Sequence, residues 1–178
     1  MDIQTTLQHI ANGNRQAFAL LVERFQRPLF SYLGRMGFTQ AQAEDLAQET
    51  FTRAWQHLGQ YDAQRAEFST WLFTIARRLA LNELERAGNR LETHWGDNPP
   101  DVASQEPTPL EHTEQHEQQR RLQIALQRLP LSERSLLALA YSQSLDMKAI
   151  AHIEGCSEGA AKVRLHRARE QLRQWLGA

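Results

Sequence analysis

Residues 145–176 read LDMKAIAHIEGCSEGAAKVRLHRAREQLRQWL, and this stretch decides the fold. Apolar residues recur at helical spacing up to Ile153, Gly155 interrupts them, and a longer amphipathic run follows. Helix, short glycine turn and longer helix make the helix-turn-helix pattern. With Ser157 as N-cap and about 100° per residue, Ala161, Leu165, Ala168, Leu172, Trp175 and Leu176 fall within one arc, the expected core stripe. Lys162, His166, Arg169 and Arg173 share one edge of the remaining surface, with Arg164 and Arg167 further round. Val163 lies nearly opposite the core arc. An ordinary solvated face carries charge too, so the preceding helix and turn are what point to DNA. A recognition helix enters the major groove with its N-terminal turns, where arginine grips a guanine edge or a phosphate and valine packs on a thymine methyl.

The charge around this helix is uneven. The 178 residues carry a formal net charge of −1. Residues 1–90 hold ten Lys/Arg and nine Asp/Glu, residues 91–119 hold seven acids and no Lys/Arg, and residues 120–178 hold ten bases and five acids. The basic block is therefore balanced by an acidic segment rather than by its own surface. Segment 91–119 also holds four of the six prolines and few apolar residues, which predicts a flexible acidic linker that turns helical near its end. No apolar run reaches membrane-spanning length, the N-terminus MDIQTTLQHI is not a secretory signal, and a single cysteine fits a reducing compartment. A cytoplasmic protein with no membrane insertion is expected.

Both flanks of the linker are helical by period, so the fold class is all-α, with two small helical domains over 1–90 and 120–178. In the first, Ala17 to Met36 is apolar at helical spacing. A second helix begins at Thr39, with Gln42 completing a capping box, and Ala47, Phe51, Ala54 and Leu58 form its stripe. After the loop GQYDAQRAEF, a third helix starts at Ser69, with Leu72, Ile75, Ala76 and Leu79 inward. In the second domain a helix from about Arg120 to Leu129 is broken by Pro130, and another runs from Ser132, as cap, to about Ser142.

His112/His116 and His152/Cys156 are i, i+4 pairs, each half of a metal site with no second half in view. No phosphate-binding loop, nucleophile elbow or HExxH motif occurs, so no catalytic residue, cofactor or metal is expected and the protein is not read as an enzyme. A stand-alone duplex-binding regulator would explain the last block, and a sequestering interaction protein the helices. The regulator has no need of the AEDLAQETF helix or of the aromatic-basic segment 61–86.

Three segments in order, AEDLAQETFTRAW (43–55), FSTWLFTIARRLALNELER (68–86) and LPLSERSLLALAYSQSLDMKAIAHIEGCSEGAAKVRLHRAREQL (129–172), resemble a bacterial RNA polymerase sigma factor of the extracytoplasmic-function, group IV, type. The likeness runs from about residue 14 to 175. The extra segment and third domain of primary sigma factors have no counterpart here, which implies the small type. The resemblance implies a dissociable specificity subunit that binds core RNA polymerase and promoter DNA, both duplex and melted strand, under control of an anti-sigma factor.

By position in these motifs, Asp45, Leu46, Gln48, Glu49, Thr52 and Arg53 are implied to bind core polymerase. Arg65, Phe68, Ser69, Thr70, Arg77, Arg78, Asn82 and Arg86 are implied to meet the minus-ten element, and stacking aromatics beside a basic track suit an opened strand. Lys162, Val163, Arg164, His166, Arg167 and Arg169 are implied to meet the minus-thirty-five element. Where the family commonly reads EGTVKSRLHRAR, this chain reads EGAAKVRLHRAR (158–169), with Ala160, Ala161 and Val163 as the departures. An altered promoter sequence is the expected consequence. The acidic linker is expected to thread the polymerase where nascent RNA later passes.

Overall fold

A computed structural model describes residues 2–93, 114–141 and 145–177, and all regular structure among them is helical. The first unit comprises α1 (Ile3–Ala11), α2 (Phe18–Met36), α3 (Gln40–Gln56) and α4 (Phe68–Thr93). The second comprises α5 (Glu114–Arg128), α6 (Leu131–Ala140), α7 (Met147–Glu154) and α8 (Glu158–Leu176). Most of the stretch read as a linker, residues 94–113, lies outside the described residues, and its end from Glu114 is helical as anticipated.

Local chemistry explains most of the boundaries. Thr39 Oγ1 accepts from the Gln42 amide at 3.4 Å while Gln42 Oε1 accepts from the Thr39 amide at 3.0 Å, the reciprocal capping box at the start of α3. Asp146 caps α7 through the Ala149 amide at 2.7 Å, and Ser157 caps α8 through the Ala160 amide at 3.1 Å. Gly155 at φ +67° makes the left-handed step between them that a side chain resists.

Four expectations need correction. Helix α1, capped by Asp2 and packed on the core through Ile3, Leu7 and Ile10, is absent from the periodic reading because it is short. Ser132 does not cap α6; Pro130, at ψ 146°, takes the N-cap place without a side-chain bond, and its ring pre-sets the entry. Helix α4 begins one residue earlier, at Phe68, and its inward side includes a fully buried Phe73, with Ile75 only half-buried. The core stripe of α8 ends at half-buried Leu172, and Trp175 and Leu176 are exposed because the helix runs past its partners.

The core is continuous through both units. Leu21, Phe25, Leu29, Leu33, Phe51, Leu72 and Phe73 of the first share one apolar cluster with Leu136, Leu137, Leu139, Ile150 and Leu165 of the second. Helix α2 packs on α6, and α4 on α7, so the two units form a common seam.

Candidate nucleic-acid and protein interfaces

Helix α8 presents the basic face read from its periodicity. Ala161, Leu165 and Ala168 are buried, whereas Lys162, Val163, His166, Arg167 and Arg169 are exposed, Val163 at 51%. Lys162 Nζ sits 2.7 Å from Glu158 Oε1 one turn earlier. An exposed i, i+4 pair of this kind is worth a few tenths of a kcal/mol, so it leaves the lysine available to a phosphate. Arg164 differs from its neighbours: it turns inward, with Nε 3.1 Å from Glu133 Oε1 and Nη2 3.7 Å from Glu154 Oε2. Its Nη1 also lies 3.8 Å from Cys156 Sγ, so the lone thiol packs beneath a guanidinium at the turn.

The residues expected at the minus-ten element divide in two. Arg65, Arg78, Asn82 and Arg86 are exposed. Phe68, Ser69 and Thr70 are buried, Phe68 at 1% exposure inside an aromatic cluster with Phe25, Tyr61 and Trp71. In this arrangement Phe68 and Ser69 do not offer their side chains to a base, and Thr70, though buried, borders a cleft. Tyr61 closes the loop by donating to the Ala66 carbonyl at 3.1 Å, and burial together with Glu67 and Asp62 raises its pKa. Arg77 is drawn away from solvent: its Nε lies 2.8 Å from Glu154 Oε1 and its Nη2 3.2 Å from Oε2, a bidentate fork across the seam. Arg65, Thr70, Lys148 and His152 face a cleft of about 630 Å³ between the 63–70 loop and α7.

On α3, Asp45, Gln48, Thr52 and Arg53 are exposed and Leu46 and Glu49 half-buried. Glu49 and Arg53 pair at 2.6 Å. Beside them runs an apolar groove of about 450 Å³ between α2 and α3, which Gln48 and Thr52 border. Its walls include Phe18, Val22, Phe30, Phe51 and Trp55. Phe30 and Trp55 are exposed, and Trp55 is held edge-on by Phe18 with ring centroids 5.1 Å apart. The periodic reading missed Phe30 and Trp55 because it asked which residues point inward. Trp55 lies four residues after Phe51, about 40° beyond it toward Gln48, a position that widens the apolar stripe past what the core uses.

The seam itself is polar at its centre. Arg134, only 8% exposed, donates to the carbonyls of Leu126 at 2.9 Å, Gln127 at 2.6 Å and Leu129 at 3.2 Å, which close α5. It also reaches across to the Met36 carbonyl at 3.1 Å, at the end of α2. A cation there satisfies carbonyls that a helix end leaves open and opposes the dipole of two helices at once. Burial pulls its pKa down. Nearby, Tyr32 Oη and Ser135 Oγ are 3.2 Å apart, and Ser135 Oγ is 2.6 Å from Glu154 Oε1. The serine proton must go to the carboxylate, so Tyr32 donates to Ser135. Burial drives the phenol far above its ordinary pKa and keeps that donor proton in place.

Among the described residues no group of three or more His, Cys, Asp or Glu is placed to hold a metal ion. His112 lies outside them. No described helix is long and apolar enough to cross a membrane.

Comparison with known proteins accords with this geometry. Residues 21–90 match sigma-70 region 2 and residues 119–172 match sigma-70 region 4. The chain is 32% identical over 160 residues to the ECF RNA polymerase sigma factor RpoE of Cereibacter sphaeroides, covering 89% of this chain and 85% of that one. The fold is shared with CnrH solved in complex with the cytosolic domain of CnrY, at TM-score 0.72, 24% identity and coverage of 97% and 96% of the two chains. It is shared also with the sigma factor RpoE of Bartonella quintana in complex with the anti-sigma factor NepR, at TM-score 0.70, 24% identity and coverage of 90% and 97%. Helix-turn-helix, all-helical architecture and both matched regions agree: the chain belongs to the ECF-type RNA polymerase sigma factors, non-enzymatic DNA-binding proteins of transcription initiation.

Proposed function

We propose that residues 1–90 act as the unit that docks on core polymerase and captures the minus-ten element, and 120–178 as the unit that reads the minus-thirty-five duplex. The observation that carries this is the exposed face of α8. Lys162, Val163, His166, Arg167 and Arg169 point outward from the second helix of a helix-turn-helix whose inward residues are fully packed. A side chain such as Val163, apolar and unburied in its own fold, suits contact with a thymine methyl. Arg78, Asn82 and Arg86 on α4, with Arg65 on the loop, supply donors for the minus-ten strand. Phe68, Ser69 and Thr70 serve that site from beneath, by fixing the loop and the start of α4.

Asp45, Leu46, Gln48, Glu49, Thr52 and Arg53 form the polymerase-docking surface, and the Phe30–Trp55 groove extends it. Two weak DNA contacts held at fixed separation on one polymerase then select a promoter class by effective concentration. A cytoplasmic location follows from these partners. The Bartonella quintana protein of the same fold was solved with an anti-sigma factor, and this chain is proposed to take one as well.

Reconstitution tests the assignment. Core polymerase plus this chain should transcribe from genomic promoters that polymerase alone ignores. Tight duplex binding by the free chain, with no polymerase-dependent transcription, would instead support a stand-alone regulator.

A further inference from the structure

Glu154 is the last residue of α7, and its side chain is fully buried. Oε1 receives Arg77 Nε at 2.8 Å and the Ser135 hydroxyl at 2.6 Å. Oε2 receives Arg77 Nη2 at 3.2 Å and faces Arg164 Nη2 at 3.7 Å. One carboxylate therefore neutralises an arginine from each of the two segments proposed to meet promoter DNA. The cluster is electrically closed: Glu133 and Glu154 balance Arg77 and Arg164, and Tyr32 feeds the remaining donor through Ser135. Removing Arg77 would leave the buried Glu154 charge with only the Ser135 hydroxyl and the longer approach of Arg164 to offset it, a state that low-dielectric surroundings penalise.

We propose that Glu154 is a carboxylate latch that holds the two units closed in the free chain by occupying Arg77. The Nε–Nη2 edge of Arg77 that grips this carboxylate cannot at the same time grip a phosphate in the same bidentate way. In the closed form the chain is correspondingly a poor DNA binder, and engagement with polymerase and promoter requires the latch to open. The consequence for DNA rests on the proposed function of this unit and on the minus-ten role that the family resemblance implies for Arg77; the latch itself does not.

Small-angle X-ray scattering of the full chain, without DNA or polymerase, tests the latch. A compact chain of this length has a radius of gyration of roughly 16 Å, and two compact halves about 35 Å apart give roughly 20 Å. Glu154→Gln, which keeps the shape of the side chain, should shift the radius toward the larger value, and so should Arg77→Gln. The double variant should go no further than the larger single effect, because both remove one interaction. Circular dichroism confirms that helices persist; if Glu154→Gln alone unfolds the second unit, Arg77→Gln decides. An unchanged radius in the folded variants overturns the latch, whatever they do with DNA. A larger radius with a several-fold gain in Glu154→Gln affinity for a promoter fragment supports both latch and site. A larger radius with no such gain upholds the latch and removes Arg77 from the DNA site.

Discussion

Helix α2 has two apolar flanks. Along one, Tyr32 and Met36 are completely buried and meet Ser135 and Arg134 of the second unit. Along the other, Phe30 stays exposed in a groove with Trp55, beside the apolar Phe18, Val22 and Phe51. The buried flank is sealed by groups that satisfy one another, and among the described residues no buried side-chain nitrogen or oxygen lacks a partner. On the open flank the aromatic rings of Phe30 and Trp55 stay exposed among the described residues. Filled and unfilled apolar surface on the same helix separates what the chain uses to fold from what it offers to another molecule.

The sharpest way to break this contrast is to remove Arg134. Arg134→Ala strips the donor from four carbonyls and uncaps α2 and α5, so it should cost about 3 kcal/mol or more in urea unfolding. On the open flank the expected pattern is reversed. Trp55→Ala should change folding stability little yet weaken assembly with core polymerase by about 2 kcal/mol, roughly 30-fold, in a titration with fluorescent polymerase.

Arg167→Ala on α8 should reduce promoter-specific transcription by about 1–3 kcal/mol of binding while polymerase affinity stays unchanged, separating DNA reading from docking. Tyr32→Phe sharpens the account of the seam: it removes one hydrogen bond to Ser135 without touching the open groove, for about 1 kcal/mol of stability. Smallest is Glu49→Ala. Its exposed pair with Arg53 adds at most about 0.5 kcal/mol to folding, so the variant should unfold like the parent. Combined with Asp45→Ala it should still weaken assembly; equal polymerase affinity in the double variant would remove this part of α3 from the docking surface.

Caps, turns and faces were legible because they depend on residues within a turn or two. Thr39 and Gln42, Gly155 and Ser157 are each read correctly from neighbours in sequence, and the outward set on α8 follows from a fixed rotation per residue. Where that logic failed, a second element intervened. Arg164 falls on an outer face of α8 by periodicity, yet Glu133 and Glu154 from other helices draw it inward. Trp175 and Leu176 continue the apolar stripe, but none of the described residues buries them. Ser132 has the chemistry of a cap, and Pro130 fixed the helix start before it.

Helical class, the helix-turn-helix, the basic face and the family resemblance were thus written in local spacing and motif. The seam was not, because Tyr32 and Ser135 stand 103 residues apart and Arg134 and Met36 stand 98 apart, and no periodicity links such positions. Whether a polar side chain is a solvated ornament or the centre of an interface depends on which carbonyl or carboxylate the folded chain brings within about 3 Å. Ser135 and Glu154 look like ordinary surface residues in sequence; burial made one of them a relay and the other the shared anion of two arginines.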